Sequence, residues 1–322
     1  MDTTTKFKLY FVIHPVPTFR MQEFFEKGLW NRLLCSFAYK ENIYQFLEAV
    51  DDPHKVEILL DSGAFTTMTQ GKEVDIDAYV DFLWEMKEKN FKSLYAICLD
   101  TIPTELETTH LNKCARETFE TYQYIRSKGI DFVVPVYHTG EPLSWLDKIV
   151  EEGCDYITVG GVARRSTRSH KRDAFRRVFI KLSRLGYTGR MHGLGVYASE
   201  FLKDFPWYSV DAATASLGSG FGSVYVFDPE VEEVKAYNVS GLKAGSSSNK
   251  VRTEIEKKVL VKYLNNVGLD IESWDDLSEY YVRLEASYRS WRAFEKFLAS
   301  STHLKRNRFM SDGYQGSLDD EF

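Results

Sequence analysis

The chain has 322 residues, 43% hydrophobic and 27% charged, with a formal net charge of −6. These globular proportions exclude a disordered or fibrous chain, and the acidic balance excludes a generally basic nucleic-acid binder while leaving room for a locally basic face. Apolar runs stop far short of the ~20 residues a membrane span needs, and the first residues lack the pattern of a signal peptide, so a soluble, cytoplasmic protein without a membrane partner is expected.

In chain order, short apolar runs rich in β-formers fall at 9–13, 32–37, 57–60, 94–99, 132–137, 156–159, 190–194 and 209–210. Between them, apolar residues at helical spacing predict helices at 22–29, 43–49, 76–90, 112–128, 143–152 and 173–185. Strands alternating with helices pair in parallel through right-handed crossovers. Eight such units at this length predict the α/β class: a (β/α)8 TIM barrel with a C-terminal helical extension. An open doubly wound sheet comes second, because its first strand would lead into a Gly-rich phosphate turn and HPVPTF here has no glycine.

Beyond Pro229 the pattern changes. A further strand fits 224–227, GLKAGSSSNK at 241–250 reads as a linker, and helices fit 251–265 and 275–300, the second opened by a capping box of Ser273 and Asp276. The division expected is a barrel domain at 1–240, a helical extension at 241–309 and a polar tail at 310–322. Cys35, Cys98, Cys114 and Cys154 share no short spacing, so neither a disulfide framework nor a local zinc knuckle is expected. Nothing in the sequence sets the oligomeric state.

In a (β/α)8 barrel the residues that follow each strand converge on one face. Those residues are Asp61 in LLDSGAF, Asp100 in AICLDTIP, His138 in VPVYHTG, Gly160 and Gly161 in ITVGGV, Leu194 in HGLGV and Asp211 in YSVDAATAS. Any one aspartate there is as readily a helix N-cap, His138 alone reads as a rim residue, and a Gly-Gly pair is a tight turn. Three aspartates at one offset after three strands are harder to explain so, because grouped carboxylates repel. Two carboxylates flanking a sugar carbon suit glycosyl transfer with retention, one attacking and one moving protons. A third accepts N–H donors from a purine edge, and Phe65, four residues after Asp61, offers a stacking face. Residue chemistry alone therefore points to a glycosidic or base-exchange site.

DSGAF, LDTIP, VGG, GLGV and the aspartate of SVDAATAS occur in that order at barrel spacing. The set resembles the tRNA-guanine transglycosylase superfamily, and within it the phage-type DNA guanine transglycosylases that insert 7-deazaguanine bases into DNA. The resemblance covers roughly 9–226. It implies Asp211 as the nucleophile of a covalent glycosyl–enzyme intermediate, Asp61 as general acid/base and Asp100 as reader of the guanine edge. It further implies that Phe65 and Leu194 sandwich the base and that Gly160 and Gly161 give it backbone contacts. His138 falls where the family usually has a base-reading glutamine. The partners implied are guanine-containing DNA, single-stranded or with a flipped base, and a free 7-deazaguanine such as preQ0; no cofactor and no metal are implied, and a phage-encoded member would act in the host cytoplasm.

Two departures turn the expectation from tRNA towards DNA. The Cys-x-Cys-x-x-Cys zinc motif of the tRNA enzymes has no counterpart, since no cysteine follows Cys154. Their arginine-containing segment after the nucleophile is replaced by the Gly-rich ATASLGSGFG at 213–222, read either as a stretch that admits a DNA backbone or as a plain flexible loop. The same exchange on tRNA, a non-catalytic nucleic-acid-binding barrel and a nucleoside or glycoside hydrolase are the alternatives. After the sixth strand, Arg164, Arg165, Arg168, Lys171 and Arg172 form a basic run that is either a solvated helix face or a ridge for phosphates.

Overall fold

The computed structural model describes residues 7–161, 167–239, 249–251 and 253–300. Nine parallel strands form its main sheet: β1 (Lys8–Val12), β2 (Arg32–Ser36), β3 (Glu57–Asp61), β4 (Ser93–Ile97), β5 (Val133–Val134), β6 (Val136–His138), β7 (Tyr156–Gly160), β8 (Arg190–Gly193) and β9 (Ser209–Ala212). Their order is β5-β4-β3-β2-β1-β9-β8-β7-β6. β5 and β6 are the two halves of the predicted fifth strand, parted at Pro135, which has no N–H to give a ladder. The Cys98 N–H donates to the Val134 carbonyl and the Thr158 N–H to the Pro135 carbonyl, both at 2.9 Å. One interrupted strand thus joins the two ends of the sheet, and the chain is a TIM barrel.

Around the barrel run α1 (Thr18–Glu26), α2 (Glu41–Ala49), α3 (Ala64–Thr69), α4 (Ile76–Lys87), α5 (Thr108–Ser127), α6 (Ser144–Glu151), α7 (Arg168–Arg184) and α8 (Ser199–Asp204). Each longer helix turns one apolar stripe inward; α7, for instance, buries Phe175, Val178, Phe179 and Leu182. The predicted strands and long helices are all present with shifted ends. α3 and α8 were not expected, because six residues show too little periodicity to be read.

After β9 come α9 (Thr214–Gly220), β10 (Ser223–Asp228), β11 (Glu233–Asn238), β12 (Asn249–Lys250), α10 (Glu254–Asn266), a 3₁₀ turn at Trp274–Ser278 and α11 (Tyr280–Ser300). Two expectations are corrected here. The segment 213–222 is not a loop: α9 occupies it, and an added Cβ on Gly218 would lie 2.6 Å from the Tyr225 ring, so this glycine serves close packing. The predicted helix at 275–300 is divided; the Ser273–Asp276 capping box opens the 3₁₀ turn, and α11 begins after Glu279.

β10, β11 and β12 form a small separate sheet that shares a core with α10, through Val224, Val226, Leu260, Leu264 and Trp274. α11 belongs to both cores: Ala286 joins this small one, while Leu284, Tyr288, Trp291, Phe294 and Leu298 join the main core of the barrel. Of the linker expected at 241–250, residues 241–248 lie outside the described residues, and Asn249 and Lys250 form β12; the tail expected at 310–322 also lies outside them. At the lower rim, Glu295 accepts the Leu9 N–H at 2.7 Å and pairs with Arg32 at 2.7 Å, while Arg292 donates to the Leu9 carbonyl at 2.8 Å. Glu295→Ala leaves the buried Arg292 without its carboxylate and Arg32 with Glu57 alone, at 3.8 Å, and is expected to cost about 3–5 kcal/mol. Urea unfolding should show this as a lower midpoint at unchanged slope; a loss under about 1 kcal/mol would show that α11 is not held by this lock.

Candidate active site

The carboxyl ends of the barrel strands bring the predicted residues to one mouth. Asp61 ends β3, Asp100 lies three residues past β4, His138 ends β6, Gly160 ends β7, Leu194 follows β8 and Asp211 lies within β9. DSGAF turns sharply after β3 because Gly63 has φ +80°, and its missing Cβ would lie 2.7 Å from the Ala38 Cβ. In that turn the Gly63 N–H donates to Asp61 at 3.0 Å. None of the three aspartates N-caps a helix; α3 is preceded by Gly63 and α5 by Glu107.

Charge makes the grouping concrete. Burial pushes the Asp61 carboxyl up to about 7; the negative charges of Asp100 and, more weakly, Asp211 add to the rise, and the Gly63 N–H opposes it. Asp61 is thus poised to carry a proton at neutral pH. Asp211 is held differently: its Oδ1 accepts the Gly195 N–H at 2.8 Å and lies 3.3 Å from His192 Nε2.

His138 does not present a free edge to a base. It is 2% exposed, and its two ring nitrogens donate to Asp100 at 2.8 Å and to Glu141 at 2.9 Å. Burial disfavours its charge, but these two carboxylates overcome that and raise it to about 10, so an imidazolium holds Asp100 in place. His138 was expected to face the base; both of its ring nitrogens are instead taken by carboxylates. The charge links pH to stability: relative to an unfolded value near 6.5, its contribution is complete below about 6.5 and is lost as pH rises through about 10. Urea midpoints from pH 6 to 10 should therefore fall more steeply for the wild type than for His138→Gln. Parallel curves would mean that the imidazole is not charged in the fold.

Gly160, Leu194 and His138 are neighbours: a Cβ added to Gly160 would lie 3.3 Å from His138 Cδ2 and 3.5 Å from Leu194 Cδ1. At Gly161, with φ +80°, an added Cβ would lie 3.1 Å from the His138 Cβ. Phe65 lies on the first turn of α3 and is 50% exposed. Phe19, Tyr39 and Tyr197 are also exposed, on segments that follow β1, β2 and β8.

The basic run is less free than its composition suggests. Arg168 opens α7 beside the mouth and lies 3.7 Å from Glu200; Arg172 pairs with Asp204 and Glu200 of α8; Lys171 is half-buried. Arg164 and Arg165 lie outside the described residues. Sequence reasoning missed Glu141 and His192, both buried. Among the described residues, no group of three or more His, Cys, Asp or Glu side chains is arranged to hold a metal ion, and no helix is long and apolar enough to cross a membrane. A cleft of about 960 Å³ lies at the opposite end of the barrel among Lys8, Arg32, Glu57, Lys92 and Glu295, and none of the predicted site residues lines it.

No family model and no curated protein matches the chain. Solved structures match by fold. A 2,3-dimethylmalate lyase of the PEP mutase/isocitrate lyase superfamily is 10% identical over 68% of this chain and 80% of that one, with a TM-score of 0.40. A 4-hydroxy-2-oxoglutarate aldolase is 11% identical over 67% of this chain and 90% of that one, at 0.36. The pyruvate carboxylase of Rhizobium etli is 10% identical over 90% of this chain and 28% of that one, at 0.44. At such identities and scores these likenesses carry no argument about activity.

Proposed function

We propose that the protein is a DNA-guanine transglycosylase, a glycosyltransferase that exchanges guanine in DNA for a 7-deazaguanine base through a covalent aspartyl intermediate. The observation that carries the reading is the meeting of Asp61, Asp100 and Asp211, from three separate strands, at one barrel mouth, with Asp61 raised to about 7. Asp61, raised by burial, serves as the acid, and Asp211, whose Oδ1 accepts the Gly195 N–H, serves as the nucleophile. The motif order that resembles the guanine transglycosylases gives the same assignment.

In the first half-reaction an Asp211 oxygen attacks the sugar C1′. The C1′–N9 bond breaks and Asp61 gives its proton to N9 of the leaving guanine. In the second half-reaction Asp61, now a carboxylate, takes the proton of the incoming base. That base attacks C1′ and releases Asp211. The target nucleotide has to leave the stack first, because C1′ is shielded within a duplex. Asp100, fixed by the His138 imidazolium, accepts N–H donors of the purine edge, and Leu194 and Phe65 supply apolar faces.

The test is exchange of labelled guanine by the full chain into duplex DNA, single-stranded DNA, tRNA and free nucleoside. Label entering DNA supports the proposal. Label entering only tRNA assigns the same chemistry to another polymer. Release of base without uptake marks a hydrolase, and DNA binding without either marks a non-catalytic barrel.

A further inference from the structure

Beneath Asp211 a chain of polar side chains runs into the barrel interior. Tyr156 OH lies 2.5 Å from Ser209 Oγ, Ser209 Oγ lies 2.7 Å from His192 Nδ1, and His192 Nε2 lies 3.3 Å from Asp211 Oδ1. All three supporting residues are shut off from solvent: Tyr156 is 3% exposed, and Ser209 and His192 are at 0%. β7, β8 and β9 are adjacent; the register pairs His192 with Ser209 and places Tyr156 opposite Arg190, two residues before His192, so the chain steps across three neighbouring strands. The rings of Tyr10 and Tyr156 stand edge-on to the imidazole and fix its plane.

Proton counting gives this chain one direction. A carboxylate offers no proton, so the His192 nitrogen facing Asp211 donates. In a neutral imidazole the other nitrogen accepts, which calls for the Ser209 hydroxyl proton; Ser209 then accepts from Tyr156. Every hydroxyl and both ring nitrogens are satisfied, with each proton pointing towards Asp211. The Gly195 N–H reaches the same oxygen, so both donors fall on Oδ1.

We infer that His192, backed by Ser209 and Tyr156, is a positioning residue for Asp211: it clamps Oδ1 together with the Gly195 N–H, so that Oδ2 is the oxygen that bonds to the sugar carbon. The inference rests on Asp211 being the nucleophile. A carboxylate pinned by one oxygen cannot rotate to bury the other, and attack geometry is fixed before substrate arrives. Glutamine can place an N–H where the imidazole Nε2 stands; methionine fills the space without a donor.

The experiment measures single-turnover formation of the covalent protein–DNA species, together with DNA affinity and thermal midpoint, for wild type, His192→Gln, His192→Met and Ser209→Ala. His192→Met should form the species roughly 10²-fold more slowly at unchanged DNA affinity. His192→Gln should recover most of the rate, and Ser209→Ala, which removes the backing of Nδ1 but leaves the donor, should lose less than methionine. If wild type forms no covalent species, the transglycosylase reading fails. If wild type forms it and His192→Met matches the wild-type rate, the clamp is wrong while the nucleophile stands. Equal losses in the methionine and glutamine variants, or losses that track the thermal midpoint, assign His192 a packing role and overturn the inference. Where His192→Met does not fold, the rates of His192→Gln and Ser209→Ala decide: a Ser209→Ala rate equal to wild type overturns it.

Discussion

With DNA and no incoming base, the wild-type protein is expected to accumulate a covalent protein–DNA species that survives denaturing electrophoresis, and Asp211→Asn is expected to abolish it. In the proposed mechanism the bond is an ester from an Asp211 oxygen to C1′, and an amide in its place is a poor nucleophile. Removing a covalent catalyst of this kind lowers turnover by roughly 10⁴–10⁶-fold. The asparagine keeps an oxygen to accept the Gly195 N–H, now made at 2.8 Å, so the fold and DNA affinity should stay near wild type. Adding preQ0 or guanine should discharge the wild-type species. If Asp61→Asn loses the band while Asp211→Asn keeps it, the two roles are reversed. If Asp211→Asn exchanges base at the wild-type rate, the double displacement is wrong.

The barrel was legible because its strands are buried and apolar, and turns with polar or glycine residues punctuate them. Leu33, Leu34 and Cys35 of β2 and Ile58, Leu59 and Leu60 of β3 announce themselves as interior strand without any knowledge of partners. The place of α11 was not legible. Its apolar stripe marks a buried helix, but no stripe states which surface it covers; the contacts of Arg292 and Glu295 with Leu9 and of Tyr288 with Phe11 tie it to β1. β11 was missed because its strand EVKAYN is half-exposed and charged. Strand-end position brought Asp61, Asp100 and Asp211 together correctly, since parallel register carries it over directly into space. The second layer was hidden for the opposite reason. Glu141 reads as a surface turn residue, and only the structure folds it back on His138. His192 left one faint signal: a polar residue inside β8, whose neighbours along the strand point to other layers.

The proton carried by Asp61 gives the mechanism its pH signature. Formation of the covalent species needs Asp61 protonated, so that rate should hold steady below about 7 and fall about tenfold per unit above it. Discharge by preQ0 needs Asp61 ionised, so that rate should rise with pH and level off above about 7. Rapid-quench measurements of the two half-reactions between pH 5.5 and 8.5 should therefore give opposite limbs crossing at one value. Asp61→Asn should slow both halves by about 10²–10⁴-fold and flatten both limbs. Asp100→Asn tests the cause of the shift. Burial alone would still hold Asp61 high, but the neighbouring charge is the next contribution, so both limbs should move to lower pH. The same variant loses a charged acceptor for the purine edge, which should weaken base binding by about 1.5–3 kcal/mol. A formation rate that stays flat up to pH 8.5 in wild type would remove Asp61 as the acid, and the proton given to the leaving guanine would then have to come from another group at the mouth.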